Sequence, residues 1–186
     1  MTPAIALIRG INVGGKHALP MATLRTLCEQ LGWRDVATNI QSGNVVFRAP
    51  VRSLAPAAKR LEAAIEHAVG FRPGVVVRTL ADLRRTIAAN PFPAETSADP
   101  AHVLVMFLAA TPTAAAKKVF NTLTPSPERI ALAGDAVFIH FPNGIAGSKF
   151  QSVHVEKALK TPGTCRNWNS VLKVLAMTEA LEAAGG

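Results

Sequence analysis

The order in which short apolar runs and amphipathic stretches follow one another constrains this chain more than any other feature. Ala4 to Ile8 is a continuous apolar run bounded by a glycine-rich loop, and it reads as a buried strand. A helix should begin near Pro20, a residue suited to a first helical position. It places Met21, Leu24, Leu27, Cys28 and Leu31 on one face before Gly32 stops it. Val36, Thr38 and Ile40 alternate with Ala37 and Asn39, and after the turn Gln41 to Asn44 the run Val45 to Arg48 completes a hairpin. Pro56 opens a second helix with Ala57, Leu61, Ala64, Ile65 and Ala68 along one face; Gly70 ends it, and Gly74 to Arg78 is a fourth strand. Strand, helix, strand, strand, helix, strand over about 75 residues is the split βαβ, or ferredoxin-like, plan.

A further helix follows, with Thr79 and Asp82 as a capping box and Leu80, Leu83 and Ile87 facing inward, until Asn90-Pro91 stops it. This bounds an N-terminal half, 1–89, that carries the glycine loop. Residues 90–101 hold three prolines and are expected to form a linker. The C-terminal half, 102–186, repeats the plan. His102 to Ala109 is a strand, Thr111-Pro112 caps a helix through Leu123, and Arg129 to Leu132 pairs with Ala136 to Phe141 across Ala133-Gly134-Asp135. Ser148 and Gln151 are candidate caps of a helix with Phe150, Val153 and Leu159 inside, and Trp168, Val171, Leu172 and Leu175 mark a terminal helix. The pattern shows no final strand, so the second half is expected to end in helices instead. The fold class is α+β, two ferredoxin-like halves in tandem, duplicated in architecture and not in detectable sequence.

Composition agrees: 49% hydrophobic and 17% charged residues in 186 is a globular balance. No apolar stretch reaches the roughly 18 to 20 residues that cross a bilayer, so no membrane partner is expected. The first residues put no basic segment before their apolar run and read as a strand, not a secretion signal. Cys28 and Cys165 show no CxxC spacing, which fits a reducing compartment and a cytoplasmic location. The net charge of +8 attracts nucleic acid or phosphorylated ligands, although the Lys and Arg residues are scattered and form no block. Nothing in the sequence specifies an oligomeric state.

The stretch that stands out chemically is Arg9-Gly10-Ile11-Asn12-Val13-Gly14-Gly15-Lys16, echoed by Gln41-Ser42-Gly43-Asn44. In the ferredoxin-like plan the loop leaving the first strand and the hairpin after the second share one edge of the sheet, and the first helix starts there too. Backbone amides at Gly14 and Gly15, charges from Arg9 and Lys16, and polar groups from Asn12, Gln41, Ser42 and Asn44 should therefore line one anion-binding rim. Glycine turns are first of all turns, and an arginine ending a strand is usually solvated. The eleven residues from Arg9 to Leu19 nonetheless exceed what a strand-to-helix connection needs, and long polar loops more often carry function. Gly10 to Lys16 also fits part of a P-loop. His17 stands where Mg²⁺ would require Ser or Thr, and the strand order is antiparallel, so nucleotide hydrolysis of that kind is rejected.

A second polar cluster comes late: Gly147-Ser148-Lys149, and Thr164-Cys165-Arg166-Asn167-Trp168-Asn169. Lys149, Arg166, Asn167 and Asn169 are its site candidates, while capping alone explains Ser148 and Thr164. Trp168 suits a core anchor better than a base-stacking platform. The five histidines show no metal-ligand spacing, no GxSxG elbow occurs, and neither polar cluster contains paired acids, so no metal, cofactor or catalytic residue is assigned. Cys165 beside Arg166 has no evident base.

Together, Arg9 to Lys16, Ile40-Gln41-Ser42-Gly43-Asn44-Val45-Val46-Phe47 and Arg166-Asn167-Trp168-Asn169 resemble the domain of unknown function family 1697. The resemblance implies a bacterial-type cytoplasmic protein of two ferredoxin-like halves with no established activity. His17, Asn39, Cys165 and Ser170 depart from the residues more common in that family, namely Asn, Tyr, Thr and Thr. The departures at His17 and Cys165 argue against essential roles for those side chains. The expected function is binding of an anionic small molecule, a phosphate compound or a nucleotide. The alternatives are nucleic-acid binding, or an enzyme acting on a phosphate or glycosidic bond with an acid or base such as Glu156 or His154.

Overall fold

The computed structural model describes residues 1–39 and 43–185. It divides into two compact units, residues 1–84 with 173–186, and residues 85–172. In the first, β1 (Thr2–Ile8), α1 (Met21–Gln30), β2 (Arg34–Asn39), β3 (Asn44–Ala49), a short α2 (Val51–Leu54), α3 (Ala57–Val69) and β4 (Val75–Thr79) follow in order, and α4 (Leu80–Ala88) starts directly at the end of β4. The antiparallel sheet runs β2-β3-β1-β4, the ferredoxin-like order. Ala4, Ala6 and Ile8 of β1, with Val45 and Phe47 of β3, pack against Leu24 and Cys28 of α1 and Leu61 and Ile65 of α3. Trp33 stacks on Phe47 at 3.7 Å between ring centroids. Burial in this core pushes the Cys28 thiol up to about 12, with Glu29 adding to the effect.

The second unit contains α5 (Pro93–Ala98), β5 (Val103–Leu108), α6 (Ala114–Phe120), β6 (Arg129–Ala133), β7 (Ala136–His140), α7 (Ser152–Leu159) and β8 (Gly163–Asn167). Then comes α8 (Trp168–Ala183), whose residues from Lys173 onward belong to the first unit. The sheet order is β6-β7-β5-β8, again antiparallel throughout. Met106, Leu108, Val137 and Ile139 face Phe120, Val155 and Leu159. The opposite sides of the central strands are closed as well. Ile5, Leu7 and Val46 in one unit, and Val105, Phe107 and Phe138 in the other, are buried, so the middles of these strands, residues 4–8, 45–47, 103–108 and 136–139, read as continuous apolar runs.

Several expectations change. The second half has its final strand: β8 pairs with β5 along its whole length, and the chain ends in a helix after that strand, not in its place. Residues 90–101 carry a short helix as well, α5, which Pro93 opens and whose Glu95 is bound by Arg129 of β6. That hydrogen bond holds the Glu95 carboxyl below the usual range. The cap of α6 is Thr113, two residues past Thr111, with its hydroxyl accepting from the Ala116 N–H at 3.2 Å. In α7 the inward residue is Val155, and Val153 is exposed; Leu172 of α8 is exposed too, while Val171 and Val174 are buried.

Candidate functional site

The glycine loop is a folded object. Val13 and Lys16 form an isolated bridge, the Lys16 N–H donating to the Val13 carbonyl at 3.1 Å across Gly14 and Gly15. Those glycines have φ of 58° and 73°, and positive φ at both central positions is what a type I′ turn demands. Below the turn the Asn12 N–H donates to the His17 carbonyl at 3.1 Å. The Asn12 carboxamide then clamps the base of the loop, accepting from the Leu19 N–H at 2.8 Å and donating to the Leu19 carbonyl at 3.0 Å. His17 Nδ1 lies 3.2 Å from the Gly10 carbonyl, and its ring packs on Phe71, 4.7 Å between centroids. Ile11 and Leu19 are buried, whereas Gly14, Gly15, Lys16 and Arg9 are exposed.

Three loops meet at this end of the sheet. The Ile8 N–H donates to Gly43 O at 2.8 Å and the Arg9 N–H to Gly74 O at 2.9 Å, so the hairpin and the segment before β4 flank the glycine loop. A side chain at Gly43 would have its Cβ 2.8 Å from the Ile8 carbonyl and 3.1 Å from Ile11, which makes glycine the residue that permits this approach. Gln41 and Ser42 lie outside the described residues. Asn44 begins β3 opposite Leu7 and is buried, so it sits beneath the rim and not on it. Asn12 likewise serves the loop itself. Phe71, which sequence reasoning passed over, is the outer support of His17; the Pro73-Gly74 dipeptide ahead of β4 was the available signal that a third turn reaches this place.

The later candidates fall into two groups within the second unit. Lys149 is exposed on the loop after β7. Arg166 is in β8 opposite Val105 and half-buried; its Nη1 donates to the Cys165 carbonyl at 2.7 Å, and burial lowers its guanidinium to about 10, still protonated at neutral pH. Asn167 caps α8 by accepting from the Ser170 N–H at 2.9 Å, and Asn169, two residues on, is exposed. Trp168 is buried with its ring 6.4 Å from Phe138. The two considered acid–base groups have structural duties. Glu156 accepts from the Gly163 N–H at 3.0 Å, and His154 Nδ1 accepts from the Gln151 N–H at 3.0 Å in a capping box. Thr164 is buried within β8, and Ser148 bonds the Glu128 carboxylate instead of capping α7.

Two ferredoxin-like units in tandem, the first bearing a clamped glycine hairpin where three loops meet, define the class. The chain belongs to the family described as protein of unknown function (DUF1697), whose model matches residues 1–138 and so includes the glycine loop and the hairpin. It is similar to the solved structure of a conserved bacterial protein, SP0830 from Streptococcus pneumoniae, at 27% identity and a TM-score of 0.68, over 95% of this chain and 98% of that one. A comparison with curated proteins finds no match. No helix of the described residues is long and apolar enough to cross a membrane.

Proposed function

We propose that the chain binds a phosphorylated small molecule or nucleotide at the rim formed by Arg9, Gly14, Gly15 and Lys16. One observation carries this reading: the second unit makes the same fold without the loop. There β5 connects to α6 through Ala109 to Thr113, neutral residues of which the last is simply the helix cap. The fold therefore does not require the extra length, the exposed glycine turn or the two cations. A turn preorganised by Asn12 and His17 offers backbone N–H groups to an anion with little ordering cost on binding. Burial on both faces of the central strands supports a small ligand over a nucleic-acid strand, since an RRM-like site would need an open sheet face for stacked bases. Catalysis has less support, because Glu156 and His154 are engaged in holding β8 and α7.

The test is thermal unfolding of the full chain with inorganic phosphate, sugar phosphates and nucleotides. A ligand at one hundred times its dissociation constant should raise stability by about 2.7 kcal/mol. The rise should vanish in Lys16→Glu and in Gly15→Val, the latter because a β-branched residue does not hold positive φ. Absence of a rise with all of these anions overturns the reading. Steep salt dependence of labelled single-strand binding with no small-ligand response would replace it with the nucleic-acid alternative.

A further inference from the structure

A second, independent cleft is built in the second unit by two consecutive turns. Phe141-Pro142-Asn143-Gly144 closes through the Gly144 N–H to the Phe141 carbonyl at 3.0 Å, and Ile145-Ala146-Gly147-Ser148 through the Ser148 N–H to the Ile145 carbonyl at 3.2 Å. Proline in the second place of one turn, and Gly147 at φ 85° in the third place of the other, are the residues such turns take. Ser148 locks their end, accepting from the Phe150 N–H at 3.1 Å and donating to the carboxylate of Glu128. Between these turns and the segment before β6 lies a space of about 400 Å³, lined among others by Ser126, Glu128, Asn143, Gly147, Ser148 and Lys149. That volume is within the range of roughly 300 to 1,000 Å³ typical of small-molecule sites.

The cleft carries one charge of each sign. Glu128 is only 9% exposed. One hydroxyl donor satisfies a fraction of what a carboxylate accepts, and a buried carboxylate is costly unless fully paired. Lys149 also lines the cleft, is exposed and of opposite sign, and among the described residues neither group forms an ion pair. A neutral ligand would leave both charges unanswered, and a simple anion would meet Glu128.

We propose that this cleft binds a small zwitterion, its ammonium group against Glu128 and its carboxylate or phosphate against Lys149, with Ser126 and Asn143 available to groups between the two ends. The cleft is lined by residues of the second unit alone, and the proposal does not depend on the reading of the glycine loop.

The experiment is thermal unfolding and calorimetry of the full chain with glycine, phosphoethanolamine and glucosamine 6-phosphate, set against ethanolamine, inorganic phosphate and glucose. Each is measured in the native chain and in Lys16→Glu, which replaces a cation of the glycine loop with an acid. At least one zwitterion should bind, at least about tenfold more tightly than the one-ended controls, because a charge-assisted hydrogen bond is then made at each end. Binding should persist in Lys16→Glu and fall by about tenfold or more in Glu128→Gln and Lys149→Glu. Lys149→Glu changes an exposed side chain and carries the test should Glu128→Gln fail to fold. The proposal is overturned by the failure of all three zwitterions to bind, by equal binding of glucose, by binding indifferent to Lys149→Glu, or by its loss in Lys16→Glu.

Discussion

The two units solve the same folding problem with the same devices and then diverge at one end of the sheet. In the first, the Glu62 carboxylate accepts the N–H of Val75 at 3.0 Å, the first residue of β4; in the second, Glu156 does the same for Gly163, the first residue of β8. Arg78 of β4 donates to the carbonyl just before it at 2.9 Å, and Arg166 of β8 repeats that contact at 2.7 Å. Arg78 lies opposite Ile5 and Arg166 opposite Val105, the same register position in each sheet. Both last strands run directly into a helix with a polar cap, Thr79 with Asp82 and Asn167 with Ser170. Even the end of the first strand is tied identically, Ile8 to Gly43 and Arg9 to Gly74 matching Leu108 to Asp135 and Ala109 to Pro162. What this shared framework leaves unexplained is the excess: a clamped glycine hairpin in one unit, a two-turn cleft in the other.

Substitution at the hairpin glycines should separate the units most sharply. Gly43→Ala should cost about 2 to 4 kcal/mol, combining positive φ with the clash against the Ile8 carbonyl. Gly134→Ala also has positive φ but meets nothing within 4 Å, and should cost only about 1 to 2 kcal/mol in chemical denaturation. Next in size, Asn12→Ala should destabilise by about 1 to 3 kcal/mol, by leaving the Leu19 backbone groups unpaired, and should abolish any anion response. Thr113→Ala, at the matching connection, should cost about 1 kcal/mol and leave that response intact.

Glu62→Ala and Glu156→Ala test the likeness itself, each expected to cost about 1 to 2 kcal/mol, chiefly through the lost charge-assisted bond to a strand N–H, since the Arg72 pair that Glu62 also loses is partly exposed and adds little. Very unequal losses would show that the repeated geometry does not carry repeated energy.

The smallest effect concerns pH. Cys28 titrates near 12 in the folded chain against 9.0 for an unburied thiol, so the unfolded chain loses that proton first. Its stabilising contribution is complete below about pH 9 and is lost as pH rises from there toward 12. Cys28→Ala should flatten that part of the stability profile. In the native protein a thiol reagent at pH 8 should modify Cys165 and spare Cys28, which reacts only after denaturation.

The first unit was legible because its strands are apolar and its breaks are chemically blunt: Gly32, Gly70 and the Val75-Val76-Val77 run announce themselves. The strand β8 was not, since Gly163-Thr164-Cys165-Arg166-Asn167 has no apolar alternation, and only pairing with β5 makes it a strand. The same gap between composition and context explains the site. The ferredoxin-like plan makes the loop leaving β1 and the hairpin neighbours, as the Ile8 to Gly43 bond shows. It could not show that the Asn12 carboxamide is spent on Leu19, or that Asn44 is buried, because both follow from which face of a turn or strand ends up inward. The cleft at Glu128 is not legible in the sequence for a related reason: its acid and its lysine are 21 positions apart and only the turns after β7 bring them together.

The last helix carries a consequence for how the chain is made. Arg48 bonds the Leu181 carbonyl, and Arg84 bonds Glu179 and Glu182, each at 3.0 Å, so the first unit is finished by residues translated after the whole of the second. A nascent chain leaving the ribosome would hold its N-terminal unit unfinished until that late segment emerges, and removing residues 173–186 should weaken the beginning of the protein more than the part that immediately precedes the cut.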